Sequence, residues 1–80
     1  MWVGPKYIIY SKPDCPYCVK AKALMSMLEL AYVEHIVGVD IDSVLYKEKF
    51  WETVPCVIID GVTIGGYQEF ADWTIENNLF

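Results

Sequence analysis

Short apolar runs rich in β-branched and aromatic residues alternate along this chain with longer stretches in which apolar residues recur at helical spacing. The apolar runs predict four strands, over residues 6–10, 32–39, 54–59 and 62–64. The longer stretches predict three helices, over residues 16–30, 44–51 and 67–79. The resulting order, β-α-β-α-β-β-α, predicts an α/β fold in which flanking helices cover a mixed four-stranded sheet.

The connections between these elements predict the strand directions and the buried faces. A strand, a helix and a strand in succession predict that the first two strands are parallel. The Asp60-Gly61 pair between two apolar runs is a strong hairpin signal, so the last two strands are predicted to be antiparallel. The first-helix residues that recur at helical spacing, and that we expect to face the core, are Val19, Ala23, Met27 and Leu30. In the last helix, we expect Phe70, Trp73 and Ile75 to point inward.

Composition narrows the class of protein. The chain has 80 residues, 55% of them apolar and 15% aromatic, which predicts one domain over residues 1–80 with a small core rich in aromatic rings. No apolar run approaches the ~20 residues needed to cross a bilayer, and the first residues lack the charged leader and apolar stretch of a signal peptide. We therefore expect a cytoplasmic protein that does not associate with membranes.

The chain is acidic, because six lysines and no arginine stand against eleven acidic residues, for a formal net charge of −5. Nucleic-acid binding is not expected, since there is no basic stripe to meet phosphates. The acidity is typical of a soluble surface, and the alternative is that it steers the protein toward a basic partner.

The candidate chemistry centres on Cys15-Pro16-Tyr17-Cys18, which opens the first predicted helix. Pro16 suits the first helical position, because its φ is already fixed and it has no N–H to leave unpaired. Cys15 then becomes the N-cap, where free backbone N–H groups and the helix dipole stabilise a thiolate. We therefore expect Cys15 to be acidic and nucleophilic, and Cys18, one turn further on, to be less so. The pattern predicts a site of thiol–disulfide exchange.

Three motifs, in this order, resemble those of the glutaredoxin family, which has the thioredoxin fold. The segment Lys12-Pro13-Asp14-Cys15-Pro16-Tyr17-Cys18 is similar to the active-site segment of its dithiol class. Thr53-Val54-Pro55 is similar to a family loop in which the proline is cis, and Asp60-Gly61 with Ile64-Gly65-Gly66-Tyr67 resembles the family's hairpin and double-glycine turn. The resemblance covers nearly the whole chain and implies a thioredoxin-like fold with glutathione as the reductant.

The resemblance also implies a set of glutathione contacts, which are Lys12, Tyr17, Thr53, Val54, Pro55, Gly66, Tyr67 and Gln68. A cis Val54–Pro55 bond would turn the Val54 N–H and C=O toward the cysteinyl backbone of the substrate. These groups would hydrogen-bond to that backbone, as a neighbouring β-strand does. Lys12 would stabilise the Cys15 thiolate and meet a glutathione carboxylate. The N-terminus of the last helix, after Gly65-Gly66, would bind the γ-glutamyl carboxylate. We therefore expect glutathione as a co-substrate, no permanently bound cofactor and no metal.

Two positions depart from the family pattern. The family often has a basic residue just before the T-V-P loop, whereas this chain has Glu52, so that a basic contact would have to come from Lys47 or Lys49. Where the family often has an aspartate that pairs with the α-amino group of the substrate, this chain has Gln68, which can accept a hydrogen bond without charge assistance. Glutathione affinity is therefore expected to be lower than is usual in the family.

The implied reaction begins when the Cys15 thiolate attacks a substrate disulfide. Cys18 then resolves the mixed disulfide, and glutathione reduces the Cys15–Cys18 pair. The expected partners of this monomer are glutathione and disulfide-containing proteins.

Several alternatives stay open from the sequence. A redoxin of the same fold would be reduced by thioredoxin reductase and would serve ribonucleotide reductase. A metal-binding module would hold zinc through Cys15, Cys18, Cys56 and His35, or an iron–sulfur cluster between two subunits, although zinc requires four well-placed ligands. Cys56 is expected to be a small apolar strand residue, with a redox-sensitive thiol as the alternative, and His35 is expected to be structural.

Overall fold

The structure, a computed structural model, describes residues 3–79, and the expectations that concern Met1, Trp2 and Phe80 lie outside these residues. Its elements are β1 (Tyr7–Ser11), α1 (Pro16–Met27), β2 (Tyr32–Ile36), α2 (Ser43–Lys49), β3 (Cys56–Ile59), β4 (Val62–Gly65) and α3 (Tyr67–Glu76). The predicted order β-α-β-α-β-β-α and the mixed four-stranded sheet are confirmed.

α1 and α3 end earlier than the sequence pattern predicts, because the chain after each of them turns into left-handed backbone. Glu29 has a φ of 58°, and the Leu30 N–H donates to the Met25 carbonyl at 2.9 Å, which closes the end of α1. Asn78 has a φ of 57° in the same position after α3. These local turns set the helix ends, although apolar residues continue beyond them.

The sheet order is β2-β1-β3-β4, so that β1 and β3 are the two central strands. β1 is parallel to β2 and antiparallel to β3, and β3 is antiparallel to β4, as the crossover and the Asp60-Gly61 hairpin predict. Tyr10, near the end of β1, pairs with Cys56, which begins β3. The loop after β1 and the loop before β3 therefore meet at one edge of the sheet.

Two apolar clusters fill the two faces of the sheet. The cluster under α1 and α3 contains Ile9, Ala21, Leu24, Met25, Val57, Ile59 and Phe70. The cluster under α2 contains Ile8, Val37, Tyr46, Cys56 and Ile58. All four residues of β3 are buried, because this strand is covered on both faces.

The predicted inner face of α1 is wrong at Val19, Ala23 and Met27, whereas Leu30, just beyond the end of the helix, is half-buried against the core. Val19 and Met27 are 61% and 64% exposed, and Ala23 is also exposed. The buried residues of this helix are Cys18, Ala21, Leu24 and Met25. Apolar residues occupy several sides of α1, so periodicity alone does not select one face; packing against the sheet buries the side that carries Ala21, Leu24 and Met25.

The prediction for α3 is partly wrong. Phe70 is fully buried and Trp73 is half-buried, but Ile75 is 63% exposed and Thr74 is buried in its place. The Thr74 hydroxyl donates to the Ala71 carbonyl at 2.6 Å, so burial leaves it hydrogen-bonded. Within residues 3–79, no helix is both long enough and apolar enough to span a membrane.

Candidate active site

Cys15 and Cys18 stand at the N-terminal end of α1 with the geometry that the sequence predicts. Cys15 is the N-cap, with extended backbone, and Pro16 is the first helical residue. The Cys18 N–H donates to Cys15 Sγ at 3.2 Å, so the helix terminus directs a backbone donor at this sulfur. A disulfide joins the two residues, whose Cα atoms are 5.2 Å apart. Cys18 is 1% exposed and Cys15 is partly exposed, so a substrate can reach Cys15 much more readily.

The Thr53-Val54-Pro55 loop lies against this pair. The Val54–Pro55 bond is cis, as predicted, and the Val54 carbonyl oxygen is 3.9 Å from Cys15 Sγ. The antiparallel pairing of β1 with β3 explains the proximity, because it brings the start of β3 to the end of β1. Sheet pairing along β3 begins at Cys56, two residues after Val54. The Val54 peptide groups therefore stand at the edge of the site, before the paired part of the strand.

The N-terminus of α3 forms the third side of the site. Gly66 is its N-cap, and the Gly66 N–H donates to Glu69 Oε1 at 2.9 Å. The Gln68 side chain donates through Nε2 to Asp72 Oδ1 at 3.0 Å. This bond uses the amide nitrogen of Gln68 and leaves its amide oxygen as an acceptor.

A groove of about 610 Å³ joins these three parts. It is lined by Tyr17, Lys20, Trp51, Thr53, Val54, Pro55, Gly66, Tyr67, Gln68 and Glu69. Seven of the eight predicted glutathione contacts are thus brought together at one groove of the size that small ligands occupy. The eighth, Lys12, is exposed in the loop before α1 and does not line the groove, so its contact with glutathione stays a prediction.

Three residues of this groove were not predicted from the sequence, and these are Lys20, Trp51 and Glu69. Lys20 lies one turn after Tyr17 on α1, and its Nζ is 5.0 Å from the centre of the Tyr17 ring. This i, i+3 spacing was a signal that could have found it. Lys47 and Lys49 are exposed on α2 and do not line the groove, whereas Lys20 does.

Glu69 changes the electrostatics that Gln68 alone suggested. The sequence predicts an uncharged amide in this part of the site, whereas a carboxylate lines the groove beside it. Glu69 is the third residue of α3 and caps its first turn, which was a second signal available from the sequence. Among the lining residues, the groove carries one cation, Lys20, and one carboxylate, Glu69.

Cys56 lies on the other face of the sheet. It is fully buried beneath α2. Burial raises the pKa of its thiol to about 11, and a smaller opposing effect comes from the Tyr46 hydroxyl. At neutral pH Cys56 is therefore a protonated apolar group, which agrees with the expected structural role and not with a redox-sensitive thiol.

We expect Cys56 to resist alkylation in the folded protein. Iodoacetamide at neutral pH should label Cys56 at least about a hundredfold more slowly than an unfolded thiol, because burial and the raised pKa both suppress the thiolate. Peptide mass spectrometry of the reduced protein measures this rate, and labelling in denaturant provides the unfolded reference. Equal rates in the two conditions would contradict the buried assignment.

The zinc alternative finds no support in the described part of the chain, where no three His, Cys, Asp or Glu side chains come together so as to hold a metal ion. His35 instead packs its ring against Tyr10, with the ring centres 5.3 Å apart.

Comparison with known proteins agrees with this geometry. The sequence model of the family described as Glutaredoxin matches residues 7–64. Glutaredoxin 1 of Salmonella typhimurium is 35% identical over 85 residues, an alignment that covers 91% of this chain and 95% of the relative.

Two solved structures extend the likeness to three dimensions. The buckwheat glutaredoxin–glutathione complex superposes with a TM-score of 0.78 at 26% identity, over 94% of this chain and 73% of that one. Reduced Escherichia coli glutaredoxin superposes with a TM-score of 0.72 at 33% identity, over 90% of this chain and 95% of that one. With the family match, the shared fold and the Cys15–Cys18 pair together, this chain belongs to the glutaredoxin family of thiol–disulfide oxidoreductases.

Proposed function

We propose that this protein uses glutathione as its co-substrate and reduces glutathione mixed disulfides and protein disulfides through Cys15. The observation that carries the proposal is the groove that ends at the Val54 carbonyl, 3.9 Å from Cys15 Sγ. A peptide lying in this groove can pair its backbone with Val54 while its own sulfur meets Cys15. The buckwheat relative was solved in complex with glutathione, which supports the same ligand here.

The groove has complementary groups for the rest of the tripeptide. Free N–H groups in the first turn of α3 suit the γ-glutamyl carboxylate, and the Gln68 amide oxygen and the Glu69 carboxylate suit its ammonium group. Lys20 suits the glycyl carboxylate, and the aromatic rings of Tyr17 and Tyr67, whose centres are 6.0 Å apart, provide apolar contact. Lys12, in the loop before α1, adds a positive charge on the approach to Cys15.

The proposed reaction is a series of two-electron exchanges. With a glutathionylated substrate, the Cys15 thiolate attacks the glutathione sulfur, the substrate leaves as a thiolate, and Cys15 is left bonded to glutathione. A second glutathione thiolate then attacks this mixed disulfide, which releases glutathione disulfide and restores the Cys15 thiolate. With a protein disulfide, Cys18 displaces the substrate from Cys15, and two glutathione molecules then reduce the Cys15–Cys18 pair.

The source of electrons can be tested directly. Turnover of a glutathionylated peptide is measured with NADPH and either glutathione plus glutathione reductase or thioredoxin reductase alone. We expect rapid NADPH oxidation with the glutathione system and little with thioredoxin reductase. The reverse result would favour the alternative, a redoxin that serves ribonucleotide reductase, and would overturn this proposal.

The role of Lys20 gives a prediction about affinity. The Lys20→Glu variant should have a KM for glutathione about three- to tenfold higher than the wild type, since an exposed ion pair is lost and a repulsion replaces it. Lys47→Glu makes the same charge change on α2, away from the groove, and should leave KM within about twofold. The coupled assay at low salt measures both, and equal KM values for the two variants would remove Lys20 from the site.

The remaining parts of the proposal concern the setting of the protein. We place it in the cytoplasm, because a dithiol that exchanges with glutathione needs a compartment in which glutathione keeps thiols reduced. We also propose that the chain is a single domain that acts as a monomer, since the groove and the Cys15–Cys18 pair form a site that needs no residue from a second copy. Cell fractionation and light scattering test these two statements. Its partners are disulfide-containing proteins, with ribonucleotide reductase as one candidate.

A further inference from the structure

Tyr46 connects α2 to the Thr53-Val54-Pro55 loop from the side away from the groove. Its hydroxyl donates a hydrogen bond to the Thr53 carbonyl oxygen. Tyr46 is 2% exposed and does not line the groove, so it cannot touch a ligand there. We propose that Tyr46 is a positioning residue: through Thr53 it holds the Val54 backbone at the distance from Cys15 that glutathione pairing requires. This inference rests on the proposed function.

The ring of Tyr46 is itself held firmly, so the hydroxyl is a defined anchor point. Its centre is 5.5 Å from that of Tyr10 and 6.1 Å from that of Phe50, within the cluster that also buries Cys56. Rings packed in this way have few rotamers available. The packed ring therefore fixes the position of the Tyr46 hydroxyl, and the hydroxyl in turn fixes the Thr53 carbonyl to which it donates.

The loop needs such an anchor because the sheet does not hold it. Pairing along β3 begins at Cys56, and Pro55 has no N–H to contribute. The Tyr46 bond fastens Thr53, the residue directly before Val54, to a helix that begins ten residues earlier in the chain. A shift of Thr53 would move the Val54 carbonyl relative to Cys15 Sγ, which lies 3.9 Å from it.

The Tyr46 hydroxyl also remains a donor at physiological pH. Burial, followed by the nearby Cys56, raises the pKa of Tyr46 well above its ordinary value of 10.0. The hydroxyl therefore keeps, at physiological pH, the proton that it donates to Thr53.

The test compares two deletions of a tyrosine hydroxyl in the same aromatic cluster. Tyr46→Phe keeps the buried ring and removes the hydroxyl, and with it the bond to Thr53 and the contact with the buried Cys56 thiol. Tyr10→Phe removes a hydroxyl from the neighbouring ring, 5.5 Å away between centres, and leaves that bond intact. We expect Tyr46→Phe to raise the KM for glutathione about three- to tenfold, as the loss of one hydrogen bond allows, with kcat changed less than about twofold. Tyr10→Phe should leave both constants unchanged.

Two further measurements separate positioning from general damage. Alkylation of the reduced Cys15 thiol by iodoacetamide requires no pairing with the Val54 backbone, so Tyr46→Phe should retain the wild-type rate of this reaction. In two-dimensional NMR spectra, the Val54 amide signal should move in Tyr46→Phe and stay in place in Tyr10→Phe, a readout that needs no turnover.

The outcomes distinguish this inference from the function on which it rests. If the wild type turns over with glutathione but Tyr46→Phe keeps its KM, or if Tyr10→Phe raises KM equally, the positioning role is overturned and the proposed function stands. If the wild type does not turn over with glutathione, both are overturned.

Discussion

Replacing Cys15 by serine is expected to lower glutathione-dependent turnover by roughly three orders of magnitude or more, the scale on which loss of a catalytic nucleophile acts. Cys15 is partly exposed beside the groove, whereas Cys18 is 1% exposed, so no other thiol in the described structure can take over the attack. Cys56 is buried on the opposite face of the sheet and cannot substitute for it. NADPH oxidation coupled to glutathione reductase, with a glutathionylated peptide as substrate, measures the loss.

The matched control is Cys18→Ser, which tests the two halves of the mechanism separately. Removal of glutathione from a mixed disulfide needs only Cys15, so this variant should keep that activity within a few-fold. Reduction of a protein disulfide needs Cys18 to resolve the intermediate, so insulin reduction should fall to the level of the uncatalysed reaction. Wild-type turnover by Cys15→Ser, or equal losses of both activities in Cys18→Ser, would contradict the assigned roles.

The parts of this fold that could be predicted from sequence are those that local chemistry specifies. Pro16 fixes the first helical φ, and with it the N-cap position of Cys15, without help from the rest of the chain. The Asp60-Gly61 turn specifies its hairpin in the same way, with Asp60 at a φ of 51° and Gly61 at 80°. Each of these features depends on a few neighbouring residues, so one sequence is enough to infer it.

The inner face of α1 could not be predicted, because the choice depends on tertiary packing. Val19 and Met27 satisfy the helical spacing as well as Ala21 and Met25 do, and only the sheet beneath the helix decides between them. The groove depends on the same rotation of α1. The spacing from Tyr17 made Lys20 a candidate, but whether it lines the groove depends on how α1 faces the loop before β3, which is a relation between elements far apart in sequence.

Gly65→Ala is expected to lower the free energy of unfolding more than any other non-cysteine substitution proposed for this protein. Gly65 ends β4 with a φ of 130°, a conformation that costs side-chain-bearing residues about 1–3 kcal/mol. A Cβ there would lie 2.9 Å from Glu69 Cγ, 3.0 Å from Glu69 Cβ and 3.2 Å from Trp51 Cζ2. Glu69 Cβ can move away only if the first turn of α3 shifts, and Cγ only if the side chain rotates and gives up its bond to the Gly66 N–H. Overpacking of this kind adds about 1–3 kcal/mol, for a total of about 2–6 kcal/mol.

Gly38→Ala separates the two causes. Gly38 also has a positive φ, 93°, but no atom lies within 4 Å of the Cβ position, so this variant carries the backbone cost without the overpacking. Urea denaturation should therefore give a free-energy loss for Gly65→Ala that exceeds that for Gly38→Ala by about 1–3 kcal/mol, a large part of the stability of so small a domain. Because Glu69 and Trp51 both line the groove, Gly65→Ala should also raise the KM for glutathione, whereas Gly38→Ala should not. Equal losses of stability in the two variants would mean that Glu69 and Trp51 move aside at little energetic cost. The groove would then be less rigid than its packing around Gly65 indicates.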